Sequence, residues 1–158
     1  MQIYRCAMQV EYGGIAVDIN DIKLYLNQAF FLDKQINSLI KVKEETVSLA
    51  QRCTANYNND GGSNPSKTNS QEMLYIKIAD QSKQIDEQID KLVDIRNEIE
   101  QLINTVSDPD GQSILRMKYL AYMSMSDIAD IMGCDRRTIY RKYNKSIEEL
   151  VEREKNKG

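Results

Sequence analysis

The residues best suited to chemistry in this sequence form a group of cations near its C-terminal end. Between residues 134 and 146 one acid, Asp135, stands against five cations: Arg136, Arg137, Arg141, Lys142 and Lys145. The net charge of this segment is therefore +4, whereas the whole chain carries −3. Guanidinium and ammonium groups bind phosphate, and arginine also forms paired hydrogen bonds with guanine. A local basic surface on an acidic protein favours binding to nucleic acid.

The residues around these cations predict two short helices joined by a tight turn. Ser126 is expected to cap a helix from Asp127 to about Met132, since serine side chains accept hydrogen bonds from free N–H groups at helix starts. Gly133 then ends this helix, because glycine is favoured just beyond a helix C-terminus. Asp135 is the expected cap of the next helix, which begins at Arg136 and continues to about residue 154.

The spacing of three further residues is typical of a helix-turn-helix motif. Ala129 is small enough to let the two helices approach, Gly133 permits the turn, and Ile139 packs the second helix against the first. The first turns of that second helix would then enter the major groove of duplex DNA. The predicted DNA contacts are Ser126, Arg136, Arg137, Thr138, Tyr140, Arg141, Lys142 and Lys145, with Tyr122 as a further candidate for a phosphate hydrogen bond and Tyr143 assigned to the core.

Two long helices are predicted upstream to support this motif. From Ile19 to about Cys53, apolar residues recur at steps of three and four, which is the period of one helix face. A second helix from about Ser70 to Val106 has an apolar residue at every seventh position: Ile78, Ile85, Leu92, Ile99 and Val106. The polar segment 54–70 between them is predicted to be a mobile loop.

The predicted fold is therefore all-α. A long antiparallel helical hairpin, coiled-coil-like, occupies residues 19–106 and follows an N-terminal tail, residues 1–18. A linker at 107–111 precedes the helix-turn-helix domain at 112–158, whose first helix buries Ile114, Leu115, Met117 and Leu120. In the linker, Pro109 stops the long helix and Gly111 frees a turn. The apolar lines of the hairpin could pair within one chain or between two chains, which would give a homodimer.

The composition argues against several other functions. The chain has no histidine and three scattered cysteines, and it lacks a glycine-rich phosphate loop between a strand and a helix. We therefore predict no metal, no cofactor and no enzymatic activity. No apolar run approaches the roughly 20 residues of a membrane-spanning helix, so a cytoplasmic protein without a membrane partner is expected.

The segment 114–150, ILRMKYLAYMSMSDIADIMGCDRRTIYRKYNKSIEEL, is similar to the fourth-region helix-turn-helix of sigma factors. It more closely resembles the RinA/ArpU-type regulators of late genes in phages of Gram-positive bacteria. This resemblance implies transcriptional control of phage or mobile-element genes. By position, Arg136, Arg137, Thr138, Tyr140 and Arg141 would read promoter DNA. Asp135 departs from the pattern, since many relatives have serine there.

The function predicted from the residues and the resemblance is a sequence-specific, DNA-binding transcriptional regulator, with RNA polymerase as a second partner to consider. Two alternatives remain open at the level of sequence. One is a protein-interaction adaptor or anti-sigma-type module that acts on RNA polymerase. The other is a phage DNA-packaging recognition subunit, which would share the motif and a coiled oligomer.

Overall fold

The computed structural model describes residues 18–57 and 65–157, without the side chains of 53–57, 65–70 and 157. This part of the chain contains six helices and no strand: α1 (Ile19–Leu26), α2 (Gln28–Tyr57), α3 (Pro65–Ile103), α4 (Pro109–Tyr119), α5 (Met125–Met132) and α6 (Arg136–Lys157). The prediction of an all-α protein is confirmed. Residues 1–17 of the predicted tail and residues 58–64 of the predicted loop lie outside the described residues.

The helix predicted from Ile19 to Cys53 is divided into two helices at Asn27, whose ψ angle of −7° departs from regular helical geometry. The Asn27 backbone N–H donates to the carbonyl of Lys23, and its side-chain amide donates to the same oxygen at 2.9 Å. The Lys23 carbonyl therefore accepts two hydrogen bonds from Asn27 at the end of α1. Upstream, Asp18 and Asp21 form a reciprocal capping box that fixes the start of α1.

The ends of the long helices also differ from the prediction. Helix α2 reaches Tyr57 and α3 begins at Pro65, so both helices extend into the segment 54–70 that was predicted as a loop. Proline fits the first helical turn, where no backbone N–H is needed. Helix α3 ends at Ile103 instead of Val106. Just beyond this end, the Thr105 hydroxyl donates to the Leu102 carbonyl at 2.7 Å.

The predicted linker at 107–111 is largely helical. Helix α4 begins at Pro109, and the carboxylate of Asp108 caps it by accepting from the Asp110 N–H. Gly111 lies inside this helix and is buried. A Cβ at this position would overlap the hydroxyl of Ser146 on α6. Gly111 was predicted to free a turn, but it permits the close approach of α4 and α6 instead.

Helix α2 packs antiparallel along α3. Near one end, the Tyr25 hydroxyl of α1 donates to Glu98 of α3 at 3.0 Å. Further along, Ile40 and Val47 of α2 line one groove with Ile85 of α3. The heptad line of α3 contributes to this packing and to the main core, since Ile85 and Ile99 are both buried.

The main core lies where α1 and the end of α3 meet α4, α5 and α6. Its largest fully buried aliphatic side chains are Leu26, Ile99, Ile103, Ile114, Leu115, Ile128, Ile139, Ile147 and Leu150. The buried face predicted for α4 is thus confirmed at Ile114 and Leu115, while Met117 and Leu120 are half-buried. Burial of aliphatic side chains from five helices fixes the position of α6, which carries the cations.

None of the helices in residues 18–57 and 65–157 is long and apolar enough to cross a membrane.

Candidate nucleic-acid interface

Helix α5 begins two residues earlier than predicted. Ser124, and not Ser126, is its cap: the Ser124 hydroxyl accepts from the Asp127 N–H at 3.2 Å and donates to the Asp127 carboxylate at 2.7 Å. The predicted cap at Ser126 is therefore wrong, although Asp127 does lie in the first turn. The Ser126 hydroxyl instead accepts a hydrogen bond from the guanidinium of Arg136, which links α5 to the first residue of α6.

The turn between α5 and α6 has the predicted glycine geometry. Gly133 adopts a left-handed conformation with φ of 61°, which glycine accepts without the steric cost of a Cβ. Its N–H donates to the Asp130 carbonyl, and the Cys134 N–H donates to the Ala129 carbonyl at 3.1 Å. These bonds satisfy the last carbonyls of α5 and set a fixed angle between the helices.

Asp135 caps α6, as predicted. Its carboxylate accepts from the Thr138 N–H at 3.0 Å and from the Thr138 hydroxyl at 2.8 Å. These hydrogen bonds hold the pKa of Asp135 below its usual value, so the cap stays ionised. The Thr138 hydroxyl is already used within the chain, and the negative charge of Asp135 is directed toward free N–H groups at the helix start.

Helix α6 has a buried face and a basic face. Its buried residues are Ile139, Tyr143, Ser146, Ile147, Leu150 and Val151. The hydroxyls of Tyr143 and Tyr119 lie 2.7 Å apart and their rings stack, which confirms Tyr143 as a core residue. The structure brings five of the predicted DNA contacts to the exposed surface of α6: Arg136, Arg137, Tyr140, Arg141 and Lys145.

Two of the candidate DNA contacts, Lys142 and Tyr122, interact with other residues of the protein. The Lys142 ammonium forms an ion pair with the carboxylate of Asp110, and this hydrogen bond raises the pKa of Lys142. Lys142 therefore connects α6 to α4. The Tyr122 hydroxyl is buried and its ring packs edge-on against Phe30, with ring centroids 5.4 Å apart. The hypothesis that Tyr122 reaches a phosphate is wrong, because its side chain points into the protein.

One exposed polar residue of α6 was missing from the predicted contacts. Asn144 lies three residues after Arg141 and seven after Arg137, and its side chain is exposed. Its amide can both donate and accept hydrogen bonds. The helical spacing from the arginines was the signal in the sequence that could have identified it.

The described part of the chain contains no group of three acidic, cysteine or histidine residues that could hold a metal ion. Ion pairs in this part of the chain join Arg116 to Glu100, Lys142 to Asp110 and Arg153 to Glu149. None of these ion pairs uses Arg136, Arg137, Arg141 or Lys145. Arg136, Arg137, Arg141 and Lys145 are therefore not neutralised by an ion pair in this part of the chain.

Residues 53–151 match the model of a protein family described as a protein of unknown function, DUF1492. Because the match covers more than half of the chain, the protein belongs to this family. The matched range extends from the end of α2 through α3, α4 and α5 and covers most of α6. Comparisons with curated proteins and with solved structures gave no match.

Proposed function

We propose that this protein is a sequence-specific DNA-binding regulator of transcription, in which α5 and α6 form a helix-turn-helix motif. The N-terminal half of α6 enters the major groove, and the short first helix α5 lies across it. Helices α2 and α3 form an antiparallel hairpin that extends from the DNA-binding unit. The resemblance to RinA/ArpU-type regulators supports control of phage or mobile-element genes.

The single observation that carries this proposal is the division of α6 into two faces. The arginines and Lys145 are exposed, while Ile139 on the opposite side is completely buried. Burial fixes the helix, so the cations project from a rigid support. A rigid helix with an unneutralised basic face matches the polyanionic surface of DNA, whose phosphates supply most of the sequence-independent affinity.

The caps at the motif turn also support DNA binding. Gly133 and Asp135 order the chain between α5 and α6 through hydrogen bonds within the turn. The start of α6 therefore needs little ordering when it enters the groove. Preorganisation of this kind lowers the entropic cost of binding.

A protein-binding role for the hairpin is a second candidate, and a specific observation favours it. Large apolar side chains are exposed on α2 and α3, including Phe31 at 57%, Met73 at 68% and Ile76 at 62%. Exposed apolar surface is typical of protein interfaces. A second copy of the chain or an RNA polymerase subunit would cover it, in agreement with a regulator that acts beside polymerase.

Fluorescence anisotropy with a labelled duplex pool, measured across a salt series, tests the DNA-binding proposal. The test variant carries Arg136→Ala, Arg137→Ala and Arg141→Ala. The matched control carries Lys41→Ala, Lys83→Ala and Lys91→Ala, which remove the same charge from exposed positions of α2 and α3. Circular dichroism confirms that both variants remain helical before binding is compared.

We expect the arginine variant to bind more weakly and to show a shallower salt dependence. The slope of log K against log salt should fall by about 0.9 for each phosphate that the variant no longer neutralises. The lysine variant should bind almost as well as the wild type. No binding by the wild type at low salt, or equal weakening in both variants, would refute the proposal.

A further inference from the structure

We infer that Asn144 reads an adenine base. Together with Arg137 and Arg141 it forms one row of base-contacting residues along α6, the recognition row. This inference rests on the proposed function and adds the chemistry of the sequence that α6 recognises. Asparagine pairs with adenine through its amide, whereas arginine pairs with guanine. The target would therefore present guanine and adenine within a few consecutive base pairs.

The helical period places these three residues on one line along α6. The steps of four and three between Arg137, Arg141 and Asn144 keep their side chains on one face. This face lies on the side of the helix opposite Ile139 and Leu150, both of which are fully buried. The row therefore points away from the core, in the direction from which a groove would approach.

The side chains of the row are available for a ligand. Arg136 donates to Ser126, Thr138 donates to Asp135, and Lys142 pairs with Asp110. By contrast, the side chains of Arg137, Arg141 and Asn144 are exposed and bind no other described residue of the chain. The structure thus separates groups that hold the motif together from groups that can reach bases.

The length of the row fits the spacing of stacked bases. Seven residues at about 1.5 Å each separate Arg137 from Asn144 by roughly 10 Å along the helix axis. This distance corresponds to about three base pairs at roughly 3.4 Å each. The row ends there, since the next residue on the same face, Glu148, is an exposed carboxylate that DNA phosphates would repel.

The remaining exposed cations suit a different role. Arg136 and Lys145 flank the row on its two sides, where the walls of the groove carry the phosphates. Contacts to phosphate fix the position of the helix without reading sequence. Replacement of Lys145 should therefore weaken binding to all duplexes, while replacement of Asn144 should change the preference among them.

The experiment begins with selection of a preferred duplex from a random pool by the full-length wild-type chain. Anisotropy is then measured on this duplex and on variants with each base pair changed in turn. Three proteins are compared with the wild type: Asn144→Ala, Lys145→Ala and Asn97→Ala. Asn97 is an exposed asparagine on α3 and provides the matched control.

We expect Asn144→Ala to reduce the preference for one A·T pair by about tenfold or more, with an unchanged salt slope, because no charge is removed. Lys145→Ala should bind every duplex more weakly and reduce the salt slope by about 0.9. Asn97→Ala should match the wild type.

The two proposals fail in distinguishable ways. If the wild type selects a site and Asn144→Ala keeps every base preference, the inference about Asn144 is overturned while DNA binding stands. If the wild type binds no duplex at low salt, DNA binding itself is refuted and the inference falls with it.

Discussion

The unit built from α4, α5 and α6 and the pair formed by α2 and α3 are stabilised in different ways. In the first, Ile114, Ile139 and Leu150 are completely buried among side chains from several helices. In the second, each helix packs mainly on the other and leaves large apolar groups exposed. The unit of α4, α5 and α6 is therefore a rigid support for the basic face, whereas α2 and α3 form an arm with exposed apolar surface.

The heptad line of α3 illustrates this contrast within one helix. Ile99, near the C-terminal unit, is completely buried, and Ile85 is 7% exposed, but Ile78 and Leu92 of the same line are only half-buried. The apolar face of α3 is wider than the surface that a single neighbouring helix can cover. Burial therefore becomes complete only where α3 reaches the helices of the C-terminal unit.

The two regions should differ most in the free energy of unfolding that is lost when a buried isoleucine is replaced by alanine. Ile139→Ala should lower the free energy of unfolding by about 2–5 kcal/mol, because it leaves a cavity in a closely packed core. Ile85→Ala should cost clearly less, since water and neighbouring side chains can fill the space in the arm. Urea unfolding followed by circular dichroism measures both. Equal destabilisation by the two changes would contradict the contrast between the regions.

Gly111 provides a second test of close packing in the C-terminal unit. Gly111→Ala should destabilise the protein by about 1–3 kcal/mol, because the new methyl group overlaps the Ser146 hydroxyl. Adding Ser146→Ala should restore stability, since the nearest remaining atom, the Ser146 Cβ, lies 3.4 Å away. Thermal unfolding of the two single variants and the double variant shows the effect. If the double variant is no more stable than Gly111→Ala alone, a contact other than the Ser146 hydroxyl limits the approach of α4 to α6.

The tyrosine pair between α4 and α6 should show a smaller, strongly non-additive effect. Tyr119→Phe or Tyr143→Phe leaves the other hydroxyl buried without its partner, at a cost of about 1–2 kcal/mol. Replacing both should cost less than the sum of the two single changes. A double-mutant cycle from urea unfolding measures this. Simple additivity would show that the two hydroxyls do not depend on each other.

Glu149 should give the smallest effect, and one that depends on pH. Burial disfavours its ionisation, but hydrogen bonds from Ser107 and Arg153 outweigh burial and lower the pKa of Glu149. A lowered folded-state pKa stabilises the protein above the unfolded value, about 4.3, and this contribution disappears as the pH falls through the folded pKa.

Glu149→Gln should therefore reduce stability by less than about 1 kcal/mol at pH 7. The difference from the wild type should shrink below pH 4. Unfolding midpoints in urea at several pH values measure this difference. A constant difference at all pH values would exclude ionisation as its cause.

The parts of the site that the sequence predicted correctly depend on local chemistry. Gly133 and Asp135 act through backbone groups within a few residues, so residue type and spacing were sufficient to assign them. The start of α5 was missed by two residues because Ser124 and Ser126 are both suitable caps. Ser124 caps through Asp127, while the Ser126 hydroxyl accepts from the guanidinium of Arg136 in the next helix.

The contacts of the site that the sequence did not predict involve partners that are distant in sequence. Lys142 pairs with Asp110, Gly111 approaches Ser146, and Tyr122 packs on Phe30. These interactions depend on how α4 lies against α6 and how the α4–α5 connection meets α2. Periodicity predicts which face of each helix is buried, but it does not specify the opposing residue.

Site-specific photo-crosslinking would test most directly whether DNA binds the C-terminal unit. Tyr140 on α6 and Tyr75 on α3 are exposed by 48% and 57%, so a benzophenone amino acid can replace either one at similar accessibility. Each full-length protein is irradiated with a labelled duplex at low salt. We predict that only the protein labelled at Tyr140 forms a DNA crosslink. Crosslinking from Tyr75 alone, or from neither position, would contradict the assignment of α6 as the DNA-binding helix.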